Sequence, residues 1–421
     1  MYQFERSAYE ARMQWFREAR FGLFLHWGLY AIPARGEWVR SNERMPEEQY
    51  LPYFDEFTAA DFDPRAWARA AKEAGMRYAV LTAKHHDGFC LWDTAYTDYS
   101  VTHYTGRDLV RELADGCAKY GIKLALYYSL PDWHCPYSVN DGRHHRLPAP
   151  NPGDTPDGER YKEYLKAQIG ELLTNYGKID ALFWDIPPDD PAERDESINE
   201  YVRSLQPGIL INDRGYSKGD YSTPERTVPS EPFAGLTEAC QSVGVQAWGY
   251  RADEDYYAHR FLMESIDRIM TRGGNYLLNV GPMADGSIPG AAAESVRAVG
   301  TWYKKVCESY LGAEFVYHRS IPYGMTRRGN CLYVHLPASP QSSAVRMRPL
   351  TVKPSRAVVL NNMEEIRASV EYLPSFFGGN AEVQPEYLRI SGIPVNRITG
   401  EVIVLRLEFE DIGEVLEQLT E

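Results

Sequence analysis

The chain has 421 residues, 44% of them apolar and 25% charged, with a formal net charge of −14. That length exceeds one compact core and implies two or three domains, on a prior of about 100–200 residues each. The acidic balance excludes a broad nucleic-acid or anionic-membrane surface, which needs clustered Lys and Arg, and it suits a neutral or weakly charged substrate.

Thirty Tyr and nine Trp offer ring faces that stack on the C–H faces of sugars, although aromatics also fill cores. The cysteines (Cys90, Cys117, Cys135, Cys240, Cys307, Cys331) are scattered, without a C-x-x-C. The opening segment MYQFERSAYEARMQWFREARFG has no apolar stretch of a signal peptide, and no run of about 18 apolar residues follows. A cytoplasmic protein with reduced thiols and no membrane partner is expected; a chain shorn of its leader would instead be secreted.

From residue 21 to about 312 one pattern repeats: a helical stretch, a Gly, then a short apolar run ending in polar or aromatic residues. FGLFLHW (21–27) is the first run. In DPRAWARAAKEAG, Asp63 is placed to cap a helix with Pro64 at its first position and Gly75 past its end, and the strand MRYAVLTAKHH (76–86) follows. Next come a helix near 107–120 and the strand IKLALYYS (122–129), then a helix near 159–176 and IDALFWD (179–185). A helix near 193–205 leads to ILIND (209–213). VQAWGY (245–250) and NYLLNVG (275–281) are the last two strand candidates, separated by a helix near 256–272, and a final helix covers about 292–309.

Near-continuous apolar strands alternating with helices predict a parallel sheet buried on both faces. About seven such strands favour an irregular (β/α)8-like, TIM-type barrel over residues 1–312, with no clean eighth strand. Beyond it, CLYVHL, AVVLNN, EYLRIS and EVIVLRLEF are β-rich runs without intervening helices, which predicts a C-terminal antiparallel β-sandwich over 313–421. Long loops, 131–158 and 214–236, leave two of the barrel strands.

Barrel enzymes take their catalytic groups from the C-terminal ends of the strands. Here those ends carry His26-Trp27, His85-His86-Asp87, Tyr127-Tyr128-Ser129, Asp185, Asn212-Asp213-Arg214, Trp248-Gly249-Tyr250 and Asn279. Asp185 is read either as a nucleophile or base, or as a turn residue before Pro187-Pro188. Asp180 begins the same strand at the opposite face, where a structural role is expected. His85 and His86 suit hydrogen bonding to hydroxyls; a metal needs supporting acids that the local pattern lacks, so no metal and no cofactor are expected.

The ordered motifs FGLFLHWGLY (21–30), Glu37-Trp38, KHHDGF (84–89), YYSL (127–130), DALFWD (180–185), NDRG (212–215), TPE (223–225), WGY (248–250) and GGNYLLNVGP (273–282) resemble those of the α-L-fucosidases, glycoside hydrolase family 29. The resemblance spans residues 21–290. It implies a barrel followed by a β-sandwich, a fucosylated glycan as substrate, and retaining hydrolysis with Asp185 as nucleophile. It implies that His26, Glu37, Trp38, His85, His86, Tyr128 and Arg214 bind the terminal sugar, with Trp248 near its methyl group. Glu225 matches the acid/base of several members, and Glu238 a second acid considered for that role in others. The family commonly has a Trp two residues before the nucleophile and a Gly or small polar residue after it; here Phe183 and Ile186 stand at those places. An exo-glycosidase for α-L-galactosides, a catalytically silent fucose-binding protein and a metal-dependent barrel hydrolase are the alternatives. The oligomeric state is left open, a homo-oligomer among the options.

Overall fold

The runs at Phe21–Leu25 (β1), Tyr78–Lys84 (β2), Lys123–Ser129 (β3), Ala181–Asp185 (β4) and Asn275–Val280 (β7) are strands buried along almost their whole length. With Leu210–Ile211 (β5) and Glu238–Ser242 (β6) they make one parallel sheet in the order β5-β4-β3-β2-β1-β7-β6. The structure, a computed structural model, describes residues 5–143, 145–188, 195–217, 219–226, 232–337, 339–372 and 386–420. Residues 193–194 of one expected helix, and 218 and 227–231 of one long loop, lie outside them; the helix is seen over Ser197–Leu205.

The helices stand where turn chemistry places them. Asp63 accepts from the backbone N–H groups of Arg65 and Ala66 to start Pro64–Glu73, and Asp157 does the same for Gly158–Asn175. Among the described residues, no helix is long and apolar enough to cross a membrane.

Three features depart from the expected plan. VQAWGY (245–250) forms no strand; the sheet position belongs to Glu238–Ser242, whose EACQS sequence carries no apolar run. The backbone N–H groups of Trp248 and Gly249 instead donate to the Glu37 carboxylate, at 2.9 and 2.8 Å. Secondly, the opening segment is a helix, Arg6–Ala19, whose Met13, Phe16 and Ala19 pack with the inward-facing Phe24, Tyr78, Ala125, Phe183, Leu210 and Leu277.

Thirdly, residues 220–226 take the place of an eighth strand. Asn212 bridges Tyr221 on one side, while Ser222 and Glu225 bridge Thr237 and Cys240 on the other, all in parallel sense. Backbone bonds from Asp220 to Ile211 (2.6 Å) and from Arg226 to Cys240 (3.0 Å) belong to the same seam. Buried Asp220 pins its start, accepting from Arg12, from Arg203 and from the Ile211 N–H. The segment's polar, Pro-containing sequence, YSTPER, hides this role, because bridging strands one residue at a time needs no apolar run.

The chain divides into two compact units, Met1–Thr227, Gly235–Tyr257 and Asn275–Arg297 in one, and Val228–Ala234, Ala258–Gly274 and Ala298–Glu421 in the other. The second unit holds two antiparallel sheets. The larger contains Glu314–Val316 (β8), Gly324–Arg328 (β9), Cys331–His335 (β10), Arg356–Val359 (β12), Glu364–Glu365 (β13) and Val404–Glu408 (β16). The smaller contains Ala344–Met347 (β11), Arg367–Tyr372 (β14) and Glu386–Ser391 (β15). Leu332, Val334, Met347, Val359, Leu388, Ile390, Leu405 and Leu407 are buried in one core between them.

Candidate active site

Strand alternation decides which rim residues face the barrel axis. On β4, Phe183 and Asp185 point inward and Trp184 outward, where its indole N–H donates to Asn199. Asn212 prolongs the short β5 with its side chain: its amide accepts from the Trp184 N–H and donates to the Trp184 carbonyl, both at 2.9 Å. That carries Arg214 to the rim, where Thr223 of the closing segment holds it, the guanidinium donating to Thr223 Oγ1 at 2.9 Å.

Arg214 joins two carboxylates. Its Nη1 donates to Asp185 Oδ1 at 3.1 Å and also to Glu225 Oε1. Sharing one nitrogen keeps the two bonded carboxylate oxygens within about 6 Å of each other. Asp185 Oδ2 accepts from the Tyr127 hydroxyl at 2.7 Å. Burial raises the Asp185 carboxyl, but the Arg214 charge and the two hydrogen bonds outweigh it and hold it below its ordinary value. Asp185 is buried, whereas Glu225 is exposed at the mouth.

Three histidines line the other side. Burial drives His26 down to about 4 and His86 to about 3, and lowers His85 well below its usual value, so all three are neutral rings at pH 7. Their tautomers follow from their partners. The Ser129 hydroxyl gives its proton to the Pro131 carbonyl, so it accepts from His86 Nδ1. Asn279 spends its amide protons on Ser242 and the Trp248 carbonyl, so its oxygen accepts from His26 Nδ1 at 2.7 Å. Both rings then keep Nε2 as an acceptor, and His86 Nε2 lies 3.8 Å from Asp185 Oδ2. A sugar hydroxyl is the natural donor for such an atom.

Trp38 lies against His86, ring centroids 4.7 Å apart, and Trp248 stacks on His26 at 5.5 Å with the Arg226 guanidinium over its ring. Glu37 is buried and spends one oxygen on the Trp248-Gly249 backbone, so it positions Trp248. Gly249 is required there, because a Cβ would meet the Tyr30 ring at 2.6 Å. Among the described residues, no group of three or more His, Cys, Asp or Glu side chains is arranged to hold a metal ion.

Two expected site residues stand elsewhere. Tyr128 points outward from β3: its hydroxyl donates to Gln168 of the Gly158–Asn175 helix, and its ring covers Lys84, which pairs with Asp132 at 2.6 Å. Its neighbour Tyr127 faces the site instead. Glu238 begins β6, paired with Asn275 at the start of β7, and so lies at the opposite end of the barrel from Asp185. The Tyr78 hydroxyl donates to it across the barrel floor, reaching over Gly22, where a Cβ would sit 2.5 Å from the Tyr78 ring.

Burial raises Glu238 from 4.5 to about 7, the Tyr78 hydrogen bond compensating only in part, and its other oxygen has no hydrogen-bond partner. Between those values the folded protein keeps a proton that the unfolded chain has lost, so stability falls as pH rises across that window. Glu238→Gln is therefore expected to stabilise the fold above pH 7, by on the order of 2–3 kcal/mol. It should flatten the slope between pH 4.5 and 7 in urea melts and leave turnover within about twofold of the wild type.

The residue after Asp185 is strained. Ile186 has φ +60°, a left-handed conformation that costs a non-glycine residue roughly 1–2 kcal/mol. A Gly, as the family commonly has there, would adopt it freely. Leu130 N–H donates to the Asp185 carbonyl at 3.0 Å and fixes the turn from β3.

Residues 1–308 match the α-L-fucosidase family model. The chain is 33% identical to bovine tissue α-L-fucosidase over 318 residues, 68% of this chain and 66% of that protein. It is 36% identical to the solved α-L-fucosidase isoenzyme 1 of Paenibacillus thiaminolyticus, with a TM-score of 0.87 over 96% of this chain and 100% of that one. A Bacteroides thetaiotaomicron α-L-fucosidase, solved as a covalent intermediate trapped with 2-fluoro-fucosyl fluoride, is 26% identical with a TM-score of 0.80, over 97% of this chain and 98% of that one. The matched region runs through every strand of the barrel and every residue that converges on Asp185, and the chain belongs to the α-L-fucosidase family of glycoside hydrolases.

Proposed function

We propose that the chain removes terminal α-L-fucosyl groups with retention, using Asp185 as nucleophile and Glu225 as acid/base. The observation that carries this is the pair of carboxyls on one guanidinium nitrogen, which brings them as close as the roughly 5–5.5 Å of retaining glycosidases requires and favours that class over the wider 6.5–9.5 Å of inverting ones. Asp185 is buried, ionised and fixed by Tyr127 and Arg214; Glu225 is exposed, on the side where a leaving group exits.

An Asp185 oxygen attacks the anomeric carbon as the glycosidic C–O bond breaks, and Glu225 gives its proton to the departing oxygen. Glu225, now a carboxylate, takes a proton from water as that water displaces Asp185. Each displacement inverts the carbon, so the released sugar keeps the α configuration. Arg214 stabilises charge on both carboxylates in turn. The acceptor nitrogens of His26 and His86 bind sugar hydroxyls, and the Trp248 indole, held by Glu37, lies beside the sugar's methyl group.

Hydrolysis of an aryl α-L-fucoside followed by proton NMR tests the reading. The α anomer of L-fucose should appear first, and the matching α-L-galactoside should turn over at least about tenfold more slowly, since a hydroxyl would stand beside the Trp248 indole unpaired. Release of the β anomer first, or preference for the galactoside, would contradict it.

A further inference from the structure

His145 lies on the long loop after β3 and faces the site without belonging to any strand end. Its ring sits 4.4 Å from Trp38 and parallel to His86, at 2° and 6.0 Å. The loop delivers it by a chain of buried contacts. Asp132 pairs with Lys84 and accepts from the N–H groups of His134 and Cys135. Trp133 N–H donates to the His86 carbonyl at 2.7 Å, while the Trp133 carbonyl accepts from Arg40. The Trp133 indole then donates to the His145 carbonyl at 2.7 Å. His145 itself adopts φ +64°, an uncommon conformation for a residue with a side chain.

We propose that His145 is a further substrate-contacting residue, which hydrogen-bonds a ring hydroxyl of the terminal sugar on the side away from Glu225. Sheet order supports that side. Trp38 and His86 stand over β1 and β2, whereas Glu225 rises from the closing segment between β5 and β6, across the barrel mouth. His145 is exposed beyond Trp38, so a sugar whose hydroxyls engage the acceptor nitrogens of His26 and His86 presents its outer edge to this imidazole. A loop tied to the His86 backbone is also the element that would reject a substituent on that hydroxyl.

The proposal rests on the fucosidase reading above, and one set of variants separates the two. His145→Phe keeps a ring against Trp38 and His86 but loses the hydrogen bond; His145→Ala loses both; His145→Gln restores a donor and an acceptor. Steady-state kinetics on an aryl α-L-fucoside, with L-fucose binding by calorimetry, should show KM and the L-fucose Kd raised about tenfold or more in both His145→Phe and His145→Ala. That corresponds to roughly 1.4 kcal/mol. kcat should change less than about threefold, and His145→Gln should recover part of the loss. A Kd unchanged in His145→Phe but weakened in His145→Ala would mean ring packing alone and overturn the proposal, as would unchanged constants in all three. A wild type that neither binds L-fucose nor cleaves the fucoside would instead overturn the fucosidase reading.

Discussion

Asp185→Gly is expected to lower turnover of an aryl α-L-fucoside by at least roughly 10⁴-fold, since removing a covalent nucleophile costs on that scale. Azide should then fill the space left by the carboxylate and attack the anomeric carbon from its side. One inversion replaces two, so the product should be the β-L-fucosyl azide. Asp185→Asn keeps the size of the side chain and leaves the Tyr127 hydroxyl a partner, and it should be equally inactive while retaining its fold by circular dichroism. Formation of the α azide by Asp185→Gly, or surviving turnover in Asp185→Asn, would remove Asp185 from the nucleophile's role.

Glu225→Ala should behave in the opposite stereochemical sense. Loss of the acid/base lowers kcat/KM by roughly 10²–10⁴-fold for substrates with poor leaving groups, and less for an activated aryl fucoside that needs no protonation to depart. The covalent intermediate still forms but waits for water without a base. Azide, which needs none, should intercept it after the first inversion and give the α-L-fucosyl azide. Glu238→Ala should show no rescue, because Glu238 lies at the floor of the barrel. Rescue confined to a Glu238 variant would overturn the pairing of Asp185 with Glu225.

Most of the barrel was legible because β1 to β4 and β7 are apolar on both faces, and β2, β3 and β4 follow helices capped by Asp63, Asp108 and Asp157. What was hidden shares one cause: polar sequence doing structural work. EACQS becomes β6 because β7 and the closing segment supply its backbone bonds, while the more apolar VQAWGY is held as a loop by two carboxylates, Glu254 on the Gln246 and Ala247 N–H groups and Glu37 on those of Trp248 and Gly249. Glu238 became a candidate acid through the family resemblance alone; as the first residue of β6 it stands at the barrel floor. Tyr128 and Tyr127 are adjacent and alike, and only the inward phase of the strand separates them; the register Tyr127↔Phe183 and Tyr128↔Trp184 settles it. Asn279 and Ser129 had no signal beyond their place at strand ends, yet they fix the tautomers of His26 and His86. His145 sits within a 28-residue loop segment (131–158) placed by buried contacts distant in sequence, among them the Lys84–Asp132 ion pair and the bonds of Trp133 to His86 and Arg40.

The spacing of the two carboxyls and the low carboxyl pKa of Asp185 meet in one covalent species, and that species can be weighed. Incubation with 2-fluoro-fucosyl fluoride should release fluoride and raise the intact mass by one fluorofucosyl group per chain. Peptide mapping should place the label on Asp185 and nowhere else, and Asp185→Asn should take up none. A label on another carboxylate, or fluoride release with no adduct at any time point, would contradict the account.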